Sequence, residues 1–161
     1  MSFLKNGQVF PNIEIAAVGG GSIQLPRDLA GSFGVVVIYR GHWCPFCNEQ
    51  LGSFQVESAK LKELGVKVVA FSVDDESTTA ALAAKHHLSF KLGHSASIDP
   101  IVAAAGAFVG EHEGPILQPA AFILAPDGKI LMEVYASGAV GRLTGQDVAR
   151  VVAYIKSMSK S

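Results

Sequence analysis

The stretch YRGHWCPFCNEQL, residues 39–51, contains both cysteines of this 161-residue chain, three positions apart. It overlaps the end of the β-branched run GVVVIYR (34–40), which is typical of a strand covered on both faces. Pro45 follows the first cysteine, and proline is favoured at the first position of a helix, where its missing N–H costs nothing. The stretch therefore predicts a strand-to-helix junction with Cys44 as the N-cap residue of the helix.

A helix that begins here makes the two thiols chemically different. Residues three apart on a helix are neighbours, so Cys44 and Cys47 lie within the range that a disulfide bridges. We expect Cys44 at the exposed helix start, where free N–H groups and the helix dipole lower the pKa of its thiol. Cys47 begins an apolar face that continues at Leu51, Phe54 and Leu61, so we expect it to be shielded. Cys44 is the predicted attacking sulfur, and Cys47 is the predicted resolving sulfur that releases the product.

The segments around this junction alternate between strand-like and helix-like patterns. The N-terminal stretch 9–25 predicts a small hairpin around three consecutive glycines, and 106–115 is a mobile loop or a long connection. The other predicted elements are a helix from the cysteines to about Leu64, a strand at 66–74, helices at 75–88 and 98–105, a hairpin at 120–135 and a tail helix at about 144–157. This order predicts one three-layer α/β domain over residues 1–161.

Composition restricts the classes of function. The formal net charge is −1 and 17% of the residues are charged, so no basic stripe is available for nucleic acid or an anionic membrane. The apolar runs are too short to span a bilayer and the N-terminus has no secretory leader, so we expect a cytoplasmic protein. In a reducing compartment a close cysteine pair is catalytic or metal-binding. Zinc needs two more ligands, and the five histidines show no paired spacing, so we expect no metal and no cofactor.

The motif and its flanks resemble a known family. WCPFC (43–47) resembles the WCxxC active site of the thioredoxin superfamily. With FPNIEI (10–15) and AAFILAPDGKI (120–130), the chain resembles the AhpC/TSA redoxin branch, the peroxiredoxin-like proteins, over about residues 7–155. The resemblance implies an α/β thioredoxin-like fold, with a central mixed β-sheet flanked by helices and an N-terminal β-hairpin extension. It also implies a thiol-dependent oxidoreductase that uses the cysteine pair.

Two chemistries occur in this family. Its peroxidases carry a Thr or Ser three residues before the reactive cysteine, a Pro seven before it and an Arg shortly before the late strand. Aligned on Cys44, these positions hold other residues, namely Gly41, Val37 and Pro119, and alignment on Cys47 does not restore the signature. The leading hypothesis is therefore a thiol–disulfide oxidoreductase. The alternatives are a thiol peroxidase acting on hydrogen peroxide or alkyl hydroperoxides, and a redox sensor or binding module without turnover.

The resemblance also implies the partners. The substrate is a protein or small-molecule disulfide, or a hydroperoxide. The electron donor is a thioredoxin- or glutaredoxin-type protein or a low-molecular-weight thiol. We expect no nucleic acid and no membrane partner, and a homodimer is left open.

Pro119 has a role by resemblance. It matches the proline that thioredoxin-like disulfide oxidoreductases keep facing their CxxC motif, where the preceding peptide bond is cis. A cis Gln118–Pro119 bond would turn the Gln118 backbone outward to pair with a substrate chain over Cys44. One departure concerns proton transfer, because the buried Asp of thioredoxin, six residues before the first cysteine, is replaced by Ile38.

Four neighbours of the pair are candidate supporting residues. Trp43 is expected to pack beside the motif and shelter the thiols from water. Arg40 either stabilises the thiolate or ends the strand at the surface. His42 and Glu49 are the nearest candidates for handling protons, and the alternative that the sequence favours for each is a solvated surface residue.

Overall fold

The structure is a computed structural model that describes residues 3–159. The strands of this part of the chain are β1 Ile13–Ala17, β2 Ser22–Leu25, β3 Phe33–Ile38, β4 Val66–Phe71, β5 Lys91–His94, β6 Val109–Glu111, β7 Pro115–Leu117, β8 Ala120–Leu124 and β9 Ile130–Tyr135. The α-helices are α1 Pro45–Val56, α2 Ser58–Glu63, α3 Glu76–His86, α4 Ile98–Ala105 and α5 Gly145–Met158. A short 3-10 helix covers Arg27–Leu29.

Seven strands form one mixed sheet, and β3 lies near its centre. The strand order is β2-β1-β5-β4-β3-β8-β9, while β6 and β7 pair separately. β3 runs parallel to β4 and antiparallel to β8. Its side chains alternate between two buried apolar clusters: Val36 and Ile38 belong to one, and Val35 and Val37 to the other. The strand is therefore covered on both faces, as its sequence predicts, and the cysteine motif follows a rigid strand end.

Helices cover both faces of the sheet. Ile101 and Ala105 of α4 belong to the cluster on one side, and Leu51 of α1 and Val148 of α5 belong to the cluster that contains both cysteines. This arrangement agrees with the expected mixed sheet flanked by helices. Among the described residues, the structure contains no helix with the length and apolar character needed to cross a membrane.

The predicted N-terminal hairpin is present as β1 and β2, and it extends the main sheet. β1 pairs with β2 and, through Ala16, with His94 of β5. The three glycines of the turn, 19–21, have φ angles of 90°, 106° and 74°, a region that glycine enters without strain. Strand β5 was missed because its sequence, KLGH, lacks the β-branched residues on which a strand prediction depends.

The helix predicted from the cysteines to Leu64 is divided in two. The break is at Glu57, whose ψ angle of 7° is not helical. Helix α5 begins against the end of α1, where a Cβ atom at Gly145 would lie 2.5 Å from the Ser53 carbonyl oxygen. Leu61 of α2 remains buried beyond the break, so the bend preserves the predicted apolar face. The other predicted helices and the β8–β9 hairpin agree with the structure within a few residues.

Candidate active site

The cysteine motif leaves β3 through a tight turn. The Tyr39 N–H donates to the Phe71 carbonyl of β4, and the Cys44 N–H donates to the Gly41 carbonyl at 3.2 Å. A side chain at residue 41 would clash with the Trp43 indole nitrogen. Where the family's peroxidases carry Thr or Ser, this chain therefore needs glycine, so that Trp43 can fold back beside the motif.

Cys44 is the N-cap residue of α1, as predicted. Its backbone is extended, with φ −87° and ψ 114°, and Pro45 is the first helical residue. The Cys47 N–H donates to Cys44 Sγ at 3.3 Å, as the spacing requires. Both cysteines are free thiols.

The prediction that Cys44 is exposed is wrong. Its relative exposure is 0%, the same as that of Cys47. Two arginine side chains, Arg40 and Arg142, reach the Cys44 sulfur, at 3.8 and 3.5 Å, whereas the first helical residues, Pro45 and Phe46, remain exposed. The sulfur is shielded from solvent but surrounded by donors, so burial does not remove its capacity to ionise.

Arg142 is the functional candidate that the sequence did not reveal. Its Nη2 group donates to Cys47 Sγ at 3.1 Å as well as to Cys44 Sγ. The guanidinium group is held in place by Gln50 Oε1 and by the Ala139 carbonyl, both at 2.7 Å. Arg142 lies 98 residues from Cys44, between β9 and α5, in a segment without periodic pattern. It supplies a positive charge that the family pattern would have placed at residue 119.

The surroundings of Cys44 favour its thiolate. Burial of the thiol opposes ionisation. Hydrogen bonds from the thiol and the amide of Cys47, a hydrogen bond from Arg40 and the positive charge of Arg142 together outweigh burial. The pKa of Cys44 is therefore held below the ordinary value of a cysteine thiol.

Cys47 shows the opposite shift. Burial, followed by the hydrogen bond that it donates to Cys44, raises the pKa of Cys47 to about 11. The charge of Arg142 and the Arg40 N–H, 3.3 Å from Cys47 Sγ, act against this rise. Cys44 is therefore the thiol that ionises first, and its thiolate accepts a hydrogen bond from a Cys47 thiol that keeps its proton.

Trp43 packs beside the motif, and its partner was not expected. Its ring stacks on His112 with a centroid distance of 3.5 Å and an interplanar angle of 13°. The Arg40 guanidinium lies 4.8 Å from the centroid of the same ring. His112 lies at the turn of the β6–β7 hairpin, within the segment for which the sequence predicted only a loop or connection. The hairpin thus brings an imidazole onto the residue next to Cys44.

His42 and Glu49 do not reach the sulfurs. The His42 ring lies 3.3 Å from Asp74 Oδ2, and its backbone N–H donates to the same oxygen at 2.8 Å. Glu49 is exposed, beside Arg142 in a surface groove. In the described part of the chain, the hydrogen bonds to the two sulfurs come from Cys47, Arg40 and Arg142. Among the described residues, neither His42 nor Glu49 makes a hydrogen bond to a cysteine sulfur that would support direct proton transfer.

The expectation of a cis bond before Pro119 is wrong. Among the described residues the cis peptide bond is Leu25–Pro26. The backbone around Pro119 is already bonded within the protein: the Gln118 N–H donates to the Phe108 carbonyl at 2.8 Å, and the Pro119 carbonyl accepts from Ala136 at 2.9 Å. Pro119 is buried, and the Gln118 N–H is not free to pair with a substrate chain.

Comparisons with known proteins identify the family of the chain. Residues 6–132 match the AhpC/TSA family. The chain is 26% identical over 161 residues to a peroxiredoxin of Treponema denticola, covering 96% of this chain and 75% of that protein. It is 32% identical over 133 residues to alkyl hydroperoxide reductase C of Staphylococcus epidermidis, covering 81% and 68%. It is 26% identical over 132 residues to the thiol-disulfide oxidoreductase ResA of Bacillus thuringiensis subsp. konkukian, covering 81% and 70%.

Solved structures agree with the fold. A crystal structure of peroxiredoxin 6 of Arenicola marina superposes with a TM-score of 0.85 at 20% identity, covering 98% of this chain and 76% of that one. The thioredoxin-like fold is therefore confirmed. The chain belongs to the AhpC/TSA family. With its adjacent cysteine pair it is a thiol-dependent oxidoreductase, as the resemblance implied.

The Trp43–His112 stack leads to a prediction about access to Cys44. An aromatic pair contributes about 0.5–1.5 kcal/mol, so we expect His112→Ala to raise the alkylation rate of Cys44 by iodoacetamide about two- to tenfold. Trp43 is the only tryptophan, so its fluorescence should change in the same variant. His112→Phe is the control, because it keeps a stacking ring. Equal rates in all three proteins would mean that the stack does not restrict access.

Proposed function

We propose that this protein is a thiol–disulfide oxidoreductase in which Cys44 is the nucleophile and Cys47 the resolving thiol. The observation that carries the proposal is the opposite shift of two pKa values within one hydrogen-bonded pair. An ionised sulfur attacks disulfides because the thiolate is the nucleophile. A neighbouring sulfur that keeps its proton does not compete for the substrate and stays available for the second step.

In the first step the Cys44 thiolate attacks one sulfur of the substrate disulfide. A bond forms between that sulfur and Cys44 Sγ, the substrate S–S bond breaks, and the other sulfur leaves as a thiolate. The negative charge on Cys44 disappears when this mixed disulfide forms. Two causes of the raised pKa of Cys47, its hydrogen bond to Cys44 and the charge of Cys44, disappear with it.

In the second step Cys47 gives its proton to the substrate thiolate that was released in the first step. The Cys47 sulfur then attacks Cys44 Sγ. The Nη2 group of Arg142 and the Arg40 N–H, at 3.1 and 3.3 Å from Cys47 Sγ, stabilise the new anion. The Cys44–Cys47 disulfide forms, and the second half of the substrate leaves as a thiolate that takes a proton from water. The substrate gains two electrons and the cysteine pair loses them. Arg142 therefore stabilises the anion on Cys44 in the first step and the anion on Cys47 in the second.

The test compares two oxidants on the reduced protein. Reduction of insulin disulfides with dithiothreitol as electron donor should be faster with the protein than without it. The stopped-flow rate with hydrogen peroxide should resemble that of a free thiol. A disulfide that forms reversibly without turnover in either assay would contradict the enzymatic proposal and favour the redox sensor.

One observation supports the peroxidase as the second candidate. Arg40 and Arg142 bring two positive charges within 3.8 Å of Cys44 Sγ, although the family arginine position is Pro119. Such donors stabilise the negative oxygen that leaves when a thiolate attacks an O–O bond. Cys44 would become a sulfenic acid, which condenses with Cys47 to a disulfide and water. Rapid peroxide consumption that survives Cys47→Ser but not Cys44→Ser would make this the leading function.

The remaining proposals concern the cellular setting. We propose the cytoplasm as the compartment, because its reducing conditions return the cysteine pair to dithiol. A thioredoxin- or glutaredoxin-type protein or a low-molecular-weight thiol would supply the electrons, as the family resemblance implies. We also propose that residues 1–161 act as one domain and that a homodimer is the assembly to test by light scattering.

A further inference from the structure

Gln50 is a buried polar residue on an apolar face of α1. Its relative exposure is 3%, and the other buried residues of this helix are Cys47, Leu51 and Phe54. Residues three apart on a helix are neighbours on one face, so Gln50 lies one turn after Cys47. A buried amide lowers stability unless its oxygen and its nitrogen find hydrogen-bond partners. The partners of Gln50 therefore indicate what the residue does.

Both ends of the Gln50 amide are bonded to one distant segment. Its Oε1 atom accepts from Arg142 Nη1 at 2.7 Å, and its Nε2 group donates to the Leu143 carbonyl at 2.8 Å. These partners lie 92 and 93 residues away, between β9 and α5, where the chain has no regular secondary structure. The oxygen requires a donor and the nitrogen requires an acceptor, so the two contacts also fix the direction of the amide. Gln50 therefore attaches the segment that carries Arg142 to the helix of the cysteine motif.

The contact with Gln50 determines where the charge of Arg142 lies. A guanidinium group is planar, so its three nitrogens are not placed independently. Nε donates to the Ala139 carbonyl and Nη1 to Gln50, both at 2.7 Å. The remaining nitrogen, Nη2, therefore points to the sulfurs of Cys47 and Cys44, at 3.1 and 3.5 Å. Ala139 is three residues from Arg142 in the same segment, whereas the contact with Gln50 ties the guanidinium group to α1.

We propose that Gln50 is a positioning residue for the reaction of the cysteine pair, because it holds the Arg142 guanidinium where it stabilises the sulfur anion of each step. The inference rests on the proposed function, and it adds a residue that takes no part in the bonds made and broken at sulfur. Arg142 also lines the surface groove beside Phe46. Without the amide of Gln50, the long arginine side chain can turn into that groove and toward water, where its charge is screened. Each sulfur anion then loses a charge-assisted hydrogen bond.

The test is the pH dependence of the initial rate at which iodoacetamide alkylates Cys44 in Gln50→Met. Methionine keeps the unbranched shape of glutamine without its amide. The charge of Arg142 lowers the pKa of Cys44, so its displacement should raise the midpoint of the profile and lower the rate below the midpoint about threefold or more. The matched control on the same helix is Gln55→Met, because the Gln55 amide bonds to Ser89 instead. This control should leave the profile unchanged.

A double-mutant cycle tests whether Gln50 acts through Arg142. In an Arg142→Met background, Gln50→Met should not raise the midpoint further, because no guanidinium group remains to be held. If Gln50→Met does not fold, the same cycle is measured with Gln50→Glu. Its carboxylate competes with the thiolate for the charge of Arg142, so the midpoint should again rise in the presence of the arginine.

Alkylation measures the state of the Cys44 thiol without turnover. A protein that fails to reduce insulin would therefore contradict the proposed function, and the alkylation profiles would still decide the role of Gln50. Equal shifts of the midpoint with and without Arg142 would overturn the inference. A variant with a lower unfolding temperature and an unchanged midpoint would also overturn it, because Gln50 would then be a structural residue.

Discussion

Cys44→Ser lowers disulfide reduction by about a thousandfold or more, because a serine hydroxyl is not ionised at neutral pH and cannot replace the thiolate. Cys47→Ser leaves the first step intact and stops the reaction at the mixed disulfide. Mass spectrometry of the intact protein after exposure to a substrate disulfide measures both results. Cys47→Ser should carry one half of the substrate on Cys44, and Cys44→Ser should carry none.

The wild-type protein is the control for this pair of variants. It should form the internal Cys44–Cys47 disulfide under the same conditions and retain no substrate. The Cys44→Ser protein could instead form a stable adduct on Cys47 as fast as Cys47→Ser forms one on Cys44. That result would contradict the assignment of Cys44 as the nucleophile and Cys47 as the resolving thiol. The opposite pKa shifts of the two thiols make that result incompatible with the account.

Arg142→Met slows both chemical steps. The charge of Arg142 is one of the causes that lower the pKa of Cys44, so its loss raises that pKa. At a pH below the pKa, the thiolate fraction falls about tenfold for each unit, and the greater nucleophilicity of the more basic thiolate offsets part of this loss, so the rate there falls about threefold per unit. The second step slows as well, because the guanidinium 3.1 Å from Cys47 Sγ is gone. Rapid-quench analysis should therefore reveal a transient mixed disulfide.

The matched control is Arg150→Met, which removes an exposed arginine from the same region of the chain. It should react like the wild-type protein. Arg142→Lys keeps the charge without the planar guanidinium and should recover part of the rate. A Cys44 pKa that is unchanged in Arg142→Met would contradict the role of this residue, even if thermal unfolding showed a less stable protein.

The central strand and the cysteine junction could be predicted because local rules determine them. The β-branched run before Arg40 forms a strand covered on both faces whatever follows it. Pro45 and the spacing of Cys44 and Cys47 define a helix start without reference to the rest of the chain. The same holds for the turn of the β8–β9 hairpin, where Pro-Asp-Gly favours a tight bend.

The coverage of the site could not be predicted, because it depends on distant segments. Arg142 and His112 lie in connections without periodic patterns, and only the folded chain brings them to the cysteine motif. The burial of Cys44 follows from these contacts, not from its position at a helix start. The trans bond before Pro119 likewise depends on partners elsewhere in the chain, the Phe108 carbonyl and the Ala136 N–H.

The most direct test is a separate titration of each thiol. Reduced protein is alkylated with iodoacetamide over a range of pH, and modification of Cys44 and Cys47 is quantified by peptide mass spectrometry. The initial rate at Cys44 should rise with its thiolate fraction and have its midpoint at a pH below the ordinary cysteine pKa, while Cys47 should remain unmodified in molecules that retain an unmodified Cys44 until the solution is strongly alkaline. Two curves with the same midpoint, or modification of Cys47 at the lower pH, would contradict a thiolate held at the helix start by Arg40 and Arg142.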